Sequence, residues 1–399
     1  MSAALPGPRL LPGPRLRPAW AEIDLDAVAG NAAALAAIAA PAELCAVVKA
    51  DGYGHGAVPV ARAALRGGAT WLGVALVEEG VELRDAGIDS PILVLSEPTP
   101  GAMGEVVARN LTPTLYTPTG VEAAAAEVCR LGRRRPLAVH VKVDTGMHRV
   151  GAAPDAALHL AVDVARRPEL DLEGWWTHFA VADEVDDPYT AAQMERYDAS
   201  TARLAEAGVI PRLRHAANSA GTLWHPAARL ELVRCGITLY GLAPCDVGSG
   251  ASGMADLRPA LSLRARVSHV KTLEAGERLS YGLRYRLEAP SVVATVPIGY
   301  ADGVPRSLSA AGGEVLIGGR RRPLAGTVTM DQILVDCGPA TCGPATGDAV
   351  VAVGDGVVLL GAQGDSHVGA WEWARRTGTI SYEIVCGLSQ RVPRTYREA

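Results

Sequence analysis

The chain has 399 residues, of which 49% are hydrophobic and 20% are charged. This length exceeds one ordinary hydrophobic core and the composition excludes a disordered protein, so we expect two soluble globular domains. The net charge of −5 gives no electrostatic reason to expect nucleic acid or an anionic membrane as a partner, and no apolar run is long enough to span a membrane.

Cysteine usage indicates the compartment. The seven cysteines are odd in number and scattered, and no two of them form a C-x-x-C pair. This pattern favours neither a disulfide framework nor a metal site, so we expect a metal-free protein in a reducing cytoplasm. The N-terminus agrees with this, because it lacks the uninterrupted apolar core of a signal peptide.

The chain begins with a repeat. The hexapeptide LPGPRL occurs twice in tandem, at 5–10 and 11–16, and its density of Pro and Gly excludes a helix or a central strand. We therefore expect a disordered tail over 1–18. An Ala-rich helix is predicted next, over 24–40, with Asp24 or Asp26 as its N-cap.

Strands and helices alternate after this first helix. Helix-like stretches such as 77–87, 119–132 and 191–208 separate short apolar runs. This rhythm favours an α/β fold, namely a closed (β/α)8 TIM-type barrel over 19–250, and an open doubly wound sheet is the alternative. The candidate strands are 44–48, 71–75, 91–96, 111–116, 137–144, 171–179, 212–218 and 229–235.

The pattern changes after residue 250. The segment 248–259 is typical of a linker, and clusters of Gly, Pro and Asp then separate several strand-type segments. One helix is predicted near 369–378. We therefore expect a second, mostly-β domain over 251–399. Its predicted strands are 263–273, 291–301, 314–319 and 349–354.

Lysine is rare in this chain, which makes each one informative. Only Lys49, Lys142 and Lys271 occur. Lys49 ends an apolar run and enters a glycine-rich loop, at the strand end where a barrel carries its active site. Burial there would lower its pKa from about 10.4 and suit an amine that forms a Schiff base. The alternative is a lysine that merely extends from a strand end into water.

The segment CAVVKADGYGHG, at 45–56, resembles the site at which alanine racemases attach pyridoxal 5'-phosphate (PLP). Gly52 stands where many family members have Ala. Further segments resemble the family in the same order along nearly the whole chain. They are VKVDTGMHRVG (141–151), GWWTHFAVADE (174–184), HAANSAG (215–221), ELVRCGITLYGL (231–242), RLSYG (278–282), PIGYADG (297–303), TVTMDQ (327–332) and TISYEI (379–384).

The resemblance implies a barrel that binds PLP, followed by a β domain. Lys49 would carry the cofactor, and Arg234 would contact its pyridine nitrogen. Arg149 would contact its phenolic oxygen and the substrate carboxylate. The other cofactor-binding residues that the resemblance implies are Tyr53, His178, Asn218, Ser219, Gly236, Ile237 and Tyr382.

The resemblance also implies roles around the substrate. Met330 and Asp331 would line the substrate site from the second subunit, and Lys142 matches a lysine that is carbamylated in some family members and orients the arginine at 149. Tyr300 and Arg306 match positions on the access corridor. Thr329 replaces a family cysteine.

Racemisation needs a proton donor or acceptor on each face of Cα. The resemblance implies that Lys49 serves the face from which D-alanine loses its proton and that Tyr281 serves the other. Tyr281 would come from the partner subunit and contact His178, so the active sites would be shared within a homodimer. The implied activity interconverts L-alanine and D-alanine and supplies D-alanine for peptidoglycan.

Arg234 distinguishes this chemistry from related PLP reactions. An arginine side chain donates hydrogen bonds and cannot accept one. It would therefore leave the pyridine nitrogen unprotonated and the ring a weak electron sink, which suits the direct return of a proton to Cα. A carboxylate in that place would suit transamination instead.

Three other functions share parts of this pattern. A racemase of broader range, or one for serine or lysine, would keep the catalytic pair and differ in its pocket. A non-enzymatic PLP-binding protein of cofactor homeostasis would lack the domain that carries Tyr281. A decarboxylase of related architecture would place a carboxylate where Arg234 stands.

Overall fold

The computed structural model describes residues 16–246, 254, 257–339 and 350–398. It divides into two compact units. The barrel unit is Asp24–Ala260, and the second unit joins the residues up to Ile23 to Leu261–Arg397. Most of the predicted tail and most of the predicted linker lie outside the described residues.

The first described strand belongs to the second unit. In β1 (Ala19–Asp24), the alternating residues Ala19, Ala21 and Ile23 are fully buried. The strand pairs antiparallel with Leu261–Arg266. The sequence analysis placed these residues at the start of the barrel domain. Their alternating apolar pattern instead completes a sheet of the second unit.

The barrel unit contains eight parallel strands, which are β2 (Glu43–Val47), β3 (Trp71–Val74), β4 (Ile92–Val94), β5 (Thr112–Leu115), β6 (Leu137–Lys142), β7 (Leu170–Trp176), β8 (Leu213–His215) and β9 (Leu232–Cys235). They pair in the order β8-β7-β6-β5-β4-β3-β2-β9. Backbone hydrogen bonds run from the N–H of Glu231, just before β9, to the carbonyl of Arg214 in β8 at 3.1 Å, and from the N–H of Arg234 in β9 to the carbonyl of Ala217, just after β8, at 3.0 Å. The barrel is nearly closed, and all eight predicted strands are confirmed.

Helices alternate with these strands. The predicted helices at 77–87, 119–132 and 191–208 are confirmed to within two residues at each end. A side-chain oxygen of Asp24 accepts a hydrogen bond from the N–H of Ala27 at 2.8 Å, so Asp24 is the N-cap of the first helix. The helices are Leu25–Ala39, Ala57–Arg66, Val77–Asp85, Met103–Ala108, Pro118–Arg130, Pro154–Arg166, Tyr189–Glu206 and Ser219–Trp224.

The second unit is mostly β, as predicted. Its further strands are β10 (Leu261–Arg266), β11 (His269–Leu273), β12 (Arg278–Leu279), β13 (Tyr285–Arg286), β14 (Ser291–Val296), β15 (Glu314–Ile317), β16 (Arg320–Pro323), β17 (Ile333–Pro339), β18 (Gly356–Gln363), β19 (Ser366–Val368) and β20 (Arg394–Arg397). The largest sheet has the order β16-β15-β18-β10-β1-β20, with β19 paired to β18. Smaller sheets are β11-β14-β17 and β12-β13. The predicted helix near 369–378 is confirmed as Ala370–Thr377, and Ser381–Cys386 follows it.

The predicted strand at 349–354 is wrong in its described part. A carboxylate oxygen of Asp355 accepts a hydrogen bond from the N–H of Ala352 at 2.8 Å, and Gly354 has a φ of +95°. Val353 is 64% exposed, so this apolar run forms a surface turn and the strand begins only at Gly356. A short apolar run does not by itself distinguish a buried strand from such a turn.

Within the described ranges, every helix is too short or too polar to span a lipid bilayer.

Candidate active site

The carboxyl ends of the barrel strands bring predicted site residues together. Because the strands are parallel, these ends lie at one mouth of the barrel. Lys142 ends β6, and Arg234 is the penultimate residue of β9. Lys49 and His178 follow β2 and β7 by two residues. The mouth is therefore rich in cationic side chains.

Arg234 is held by uncharged partners. Its side chain is 3% exposed, and Nη1 donates to Nδ1 of His215 at 2.8 Å. Nη2 donates to the carbonyls of Ala216 and Thr177 at 2.9 and 3.0 Å and lies 3.1 Å from Nδ1 of His178. No carboxylate among the described residues bonds to the guanidinium. Burial lowers the pKa of Arg234 to about 10, so the side chain stays protonated at neutral pH.

Two uncharged histidines flank Arg234. Burial and the positive charge of Arg234 hold the pKa of both His178 and His215 well below the usual 6.5. Since the arginine only donates, Nδ1 of His215 accepts from Nη1 and that neutral ring carries its proton on Nε2. Nδ1 of His178 shares the two N–H groups of Nη2 with the carbonyls of Ala216 and Thr177. Trp176 stacks on the His215 ring, with centroids 5.2 Å apart. The guanidinium therefore remains the charged member of this group.

Lys142 lies inside the same mouth. It is 4% exposed, and its Nζ is 4.2 Å from the centroid of the Trp176 ring. Burial and the positive charges of Arg234, Arg149 and Lys49 lower the pKa of Lys142 to about 7. A substantial fraction of this lysine is therefore an uncharged, nucleophilic amine at neutral pH.

Lys49 is followed by a left-handed turn. Residues 50–53 have φ values between +52° and +60°. Non-glycine residues avoid this conformation, at a cost of about 1–2 kcal/mol each, so the turn stores strain beside the predicted attachment site. Glycine at position 52, where many family members have Ala, removes one such cost. A Cβ there would also lie 3.3 Å from the backbone of Ala57.

Two carboxylates hold this turn. Oε1 of Glu79 accepts a hydrogen bond from the N–H of Ala50 at 2.6 Å. Oδ1 of Asp51 accepts one from the N–H of Ala57 at 2.9 Å. These bonds offset part of the backbone strain and fix the direction in which the chain leaves the lysine.

Hydroxyl and amide groups converge on a second side of the mouth. Oγ of Ser219 accepts hydrogen bonds from the N–H of Gly236 and from Oγ1 of Thr238, each at 3.0 Å. The Tyr53 hydroxyl approaches Gly236 so closely that a Cβ there would overlap it, and Ile237 is fully buried. Clustered hydroxyl and backbone amide groups of this kind suit a phosphate group, which could accept hydrogen bonds in place of Ser219 Oγ.

Two further predicted cofactor-binding residues lie at the mouth. Oδ1 of Asn218 accepts a hydrogen bond from the N–H of Gly221 at 2.9 Å and so caps the helix Ser219–Trp224. Arg149 lies exposed in the loop after β6, and its positive charge helps to lower the pKa of His178.

The second unit brings the predicted substrate-side residues together. Tyr281 is 74% exposed and lines a groove of this unit. Oγ1 of Thr327 donates to the carbonyl of Tyr281 at 2.8 Å, which fixes the backbone there. Tyr382 lies outside the groove, on the helix Ser381–Cys386. The other predicted residues that line the groove are Tyr300, Arg306, Thr329, Met330 and Asp331.

Charged side chains support one wall of this groove. Arg391 donates to a carboxylate oxygen of Asp331 at 2.6 Å. Arg17 donates to both carboxylate oxygens of Asp302, at 2.9 and 2.8 Å, and to the carbonyl of Arg391 at 3.0 Å. Asp302 is fully buried and also accepts from the N–H of Gly299, so it holds the segment that carries Tyr300.

Comparison with known families bears on both units. The sequence model of the alanine racemase N-terminal domain matches residues 23–244, and that of the C-terminal domain matches residues 260–396. The chain belongs to the alanine racemase family. The predicted family and the predicted combination of a barrel with a β domain are therefore confirmed.

Individual alanine racemases match over nearly the whole chain. The one from Symbiobacterium thermophilum is 50% identical over 380 residues, which cover 95% of this chain and 97% of that protein. The one from Thermobifida fusca is 44% identical and covers 95% and 98%. The solved alanine racemase of D-cycloserine-producing Streptomyces lavendulae has a TM-score of 0.88 at 38% identity, with 97% and 98% covered. The Bacillus anthracis alanine racemase, solved with bound L-Ala-P, has a TM-score of 0.85 at 37% identity, with 97% and 96% covered.

The sequence analysis missed several residues that support the barrel mouth or the groove of the second unit. Thr238 lies inside the family segment 231–242 but was not singled out. His140 in β6 and Glu173 in β7, which lie near Arg234 through His215, directly precede the family segments 141–151 and 174–184. Asp302 lies inside a segment noted only for its tyrosine. Two signals were available: His140 precedes Lys142 by two residues on the same strand face, and Asp302 is an acidic residue in a glycine turn.

Proposed function

We propose that this chain interconverts L-alanine and D-alanine with PLP as its cofactor, and so supplies D-alanine for peptidoglycan. The observation that carries this proposal is the buried Arg234, which keeps its charge among uncharged partners at the mouth that also holds Lys49. The names of the relatives support alanine as the substrate.

The residues at the mouth fit PLP. Ser219, Gly236, Ile237 and Tyr53 would hold its phosphate with hydroxyl and amide donors, and Lys49 would supply the amine that attaches it. Tyr382 would add a hydroxyl. When bound, PLP supplies the electron withdrawal that makes the α-proton of an amino acid removable.

Arg234 would set the strength of that withdrawal. Its hydrogen bonds to His215, Ala216 and Thr177 fix the guanidinium. Its remaining N–H groups could donate a hydrogen bond to the pyridine nitrogen but could not accept one from it. The nitrogen then stays proton-free and withdrawal stays weak. A proton taken from Cα is therefore returned directly, which favours racemisation over transamination.

Two side chains would move the proton. The amine of Lys49 would serve the face from which D-alanine loses its proton, and the phenolic oxygen of Tyr281 would serve the opposite face. The exposure of Tyr281 supports a contribution from the partner subunit of a homodimer. Nε2–H of His178 would donate to the phenolate oxygen, which lowers the cost of losing the phenolic proton near neutral pH.

Substrate selection would use residues of both subunits of the homodimer. Arg149 would pair with the carboxylate of alanine, and Met330 and Asp331, contributed by the second subunit, would limit the space for the side chain. We also propose a cytoplasmic location, which the cysteine usage supports.

Lys142 would be carbamylated, and the carbamate would orient Arg149. The low pKa of Lys142 leaves an uncharged amine that attacks carbon dioxide, forming an N–C bond and releasing one proton, and the product anion would face Arg149 and Arg234. Incubation with ¹³C-bicarbonate should give a carbamate carbon signal that disappears in Lys142→Ala and persists in Lys271→Ala. A plain amine at position 142 under these conditions contradicts this role.

One experiment tests the main proposal. Purified protein reconstituted with PLP should show visible absorbance from cofactor bound to Lys49 and should convert L-alanine into D-alanine. A panel of L-amino acids in the same assay measures the substrate range. Faster racemisation of serine or lysine than of alanine would contradict the assigned substrate, and cofactor binding without racemisation would contradict the activity.

A further inference from the structure

A line of polar side chains runs inside the barrel from Arg234 away from the mouth. Nη1 of Arg234 donates to Nδ1 of His215 at 2.8 Å, and Nε2 of His215 lies 2.9 Å from Nδ1 of His140. Nε2 of His140 faces Oε2 of Glu173 at 3.5 Å. Both histidines are fully buried. We call these four residues the histidine line.

The histidine line has one proton arrangement that satisfies its members. Arg234 donates only, so Nδ1 of His215 accepts and its proton sits on Nε2. That N–H donates to Nδ1 of His140, whose own proton must then sit on Nε2 and point at Glu173. Burial lowers the pKa of His140 as well, so both rings are uncharged at neutral pH.

The backbone around Glu173 is shaped to make this contact. Val139 pairs with Leu172 and His140 pairs with Gly174, so Glu173 is an extra residue in β7. Such a bulge redirects a side chain, and bulges are rare between parallel strands. A Cβ on Gly174 would overlap the His140 ring, so glycine there makes room for the imidazole.

The far end of the histidine line is held in the charged form. Arg212 donates to Oε1 of Glu173 at 2.8 Å and to Oε1 of Glu43 at 3.1 Å. Burial opposes ionisation of Glu173, but the His140 ring, whose Nε2 lies 3.5 Å from Oε2 without a hydrogen bond, and the hydrogen bond from Arg212 outweigh it and lower the pKa of Glu173. Glu173 is thus a fixed acceptor, with Arg212 and Arg234 as the other charged groups that act on His140.

We propose that Glu173 is a positioning residue. Acting through His140, it adds to the effect of Arg234 and holds both rings in the Nε2–H tautomer, which keeps Nδ1 of His215 as an acceptor and fixes the direction of the Arg234 N–H groups. The last step, toward a pyridine nitrogen, rests on the proposed function. The tautomer selection does not rest on it.

The tautomers can be observed without any catalytic assay. Long-range ¹H–¹⁵N correlation spectra of the full chain labelled with ¹⁵N-histidine distinguish Nδ1–H from Nε2–H, and loss of one signal set in His140→Asn and in His215→Asn assigns the two rings among nine histidines. The wild type should show both rings in the Nε2–H form. In Glu173→Ala, His140 should gain Nδ1–H signal and His215 should no longer give a single form.

Two further variants complete the comparison. Glu231→Ala is the matched control, because Glu231 pairs with Arg214 at 2.6 Å outside the histidine line, and it should leave both spectra unchanged. Glu173→Gln keeps the side-chain volume without the charge and should also populate Nδ1–H on His140. This variant replaces the alanine variant if the latter does not fold.

The outcomes separate the two proposals. Unchanged histidine spectra in both Glu173 variants, or an Nδ1–H form in the wild type, overturn the positioning role whatever the activity is. If the Glu173 variants change the histidine tautomers but the wild-type protein racemises no amino acid, the positioning role of Glu173 is supported and the proposed function is contradicted. In an active enzyme, Glu173→Gln should lower kcat by about ten-fold with little change in KM, because substrate contacts are untouched.

Discussion

The barrel mouth and the groove of the second unit hold their side chains in different ways. At the mouth, Arg234 and Lys142 are almost fully buried, and fixed hydrogen bonds or shifted pKa values define their charge. In the groove, Tyr281 and Met330 are 74% and 52% exposed, and mainly the backbone is fixed. The difference teaches that one surface is preorganised within the chain, whereas the other offers side chains to a ligand or to another surface.

The largest effect is expected from removal of the amine at the mouth. Lys49→Ala should abolish the visible absorbance of attached PLP and lower racemisation by at least about 10⁴-fold, because attachment and one proton transfer are both lost. Lys271→Ala, a change at an exposed lysine of the second unit, should leave both properties intact. If Lys49→Ala kept the visible absorbance of attached PLP, Lys49 would not be the attachment site and the cofactor would not be bound at the barrel mouth as proposed.

Tyr281→Phe should distinguish the contribution of the groove to catalysis from that of the mouth. We expect kcat to fall by about 10²–10³-fold while cofactor absorbance persists, since the groove would contribute a proton-transfer group and no attachment point. Proton exchange from L-alanine should suffer more than exchange from D-alanine. Tyr396→Phe, at another exposed tyrosine of the second unit, is the control. Normal racemisation in Tyr281→Phe would overturn the assignment.

Acid should destabilise the barrel through its buried histidines. His140 and His215 have lowered pKa values in the folded chain, so the unfolded chain binds more protons just below pH 6.5. Their contribution to the free energy of unfolding is complete above pH 6.5 and falls below it, by up to about 1.4 kcal/mol per pH unit for each histidine.

Urea unfolding between pH 7.5 and 5.5 measures this slope. His140→Asn should reduce the slope by about one proton, whereas His159→Asn, at an exposed position of the same unit, should not change it. Equal slopes in the wild type and His140→Asn would mean that the buried rings do not hold their neutral form.

The smallest effect is expected at the groove wall. Arg391→Ala removes the 2.6 Å hydrogen bond to Asp331 and should raise KM for alanine by about three-fold with kcat nearly unchanged. Arg320→Ala, in an edge strand of the same unit, is the control. A fall in kcat without a change in KM would mean that this wall is not a substrate surface.

The sequence predicted the periodic parts of the fold well. All eight barrel strands and the helix over 370–377 follow from apolar runs and caps. It failed at 349–354, where an apolar run forms an exposed turn, and at 19–23, whose sheet partner lies more than 200 residues away. Pairing over that distance leaves no local signal.

The candidate site was predicted through family segments, and its remaining features depend on three-dimensional contacts. The bulge at Glu173, the overlap that requires Gly174, and the left-handed turn at 50–53 each depend on neighbours distant in sequence or on backbone angles. Residue type alone indicates neither a tautomer nor a strained turn.

The position of β1 has a consequence for recombination between genes. Because β1 lies between β10 and β20, the largest sheet of the second unit is built from both sides of the barrel segment. A single genetic crossover near residue 250 would therefore join the later strands to a foreign β1. An exchange that transfers the second unit intact needs two crossover points, one near Ile23 and one near Leu261.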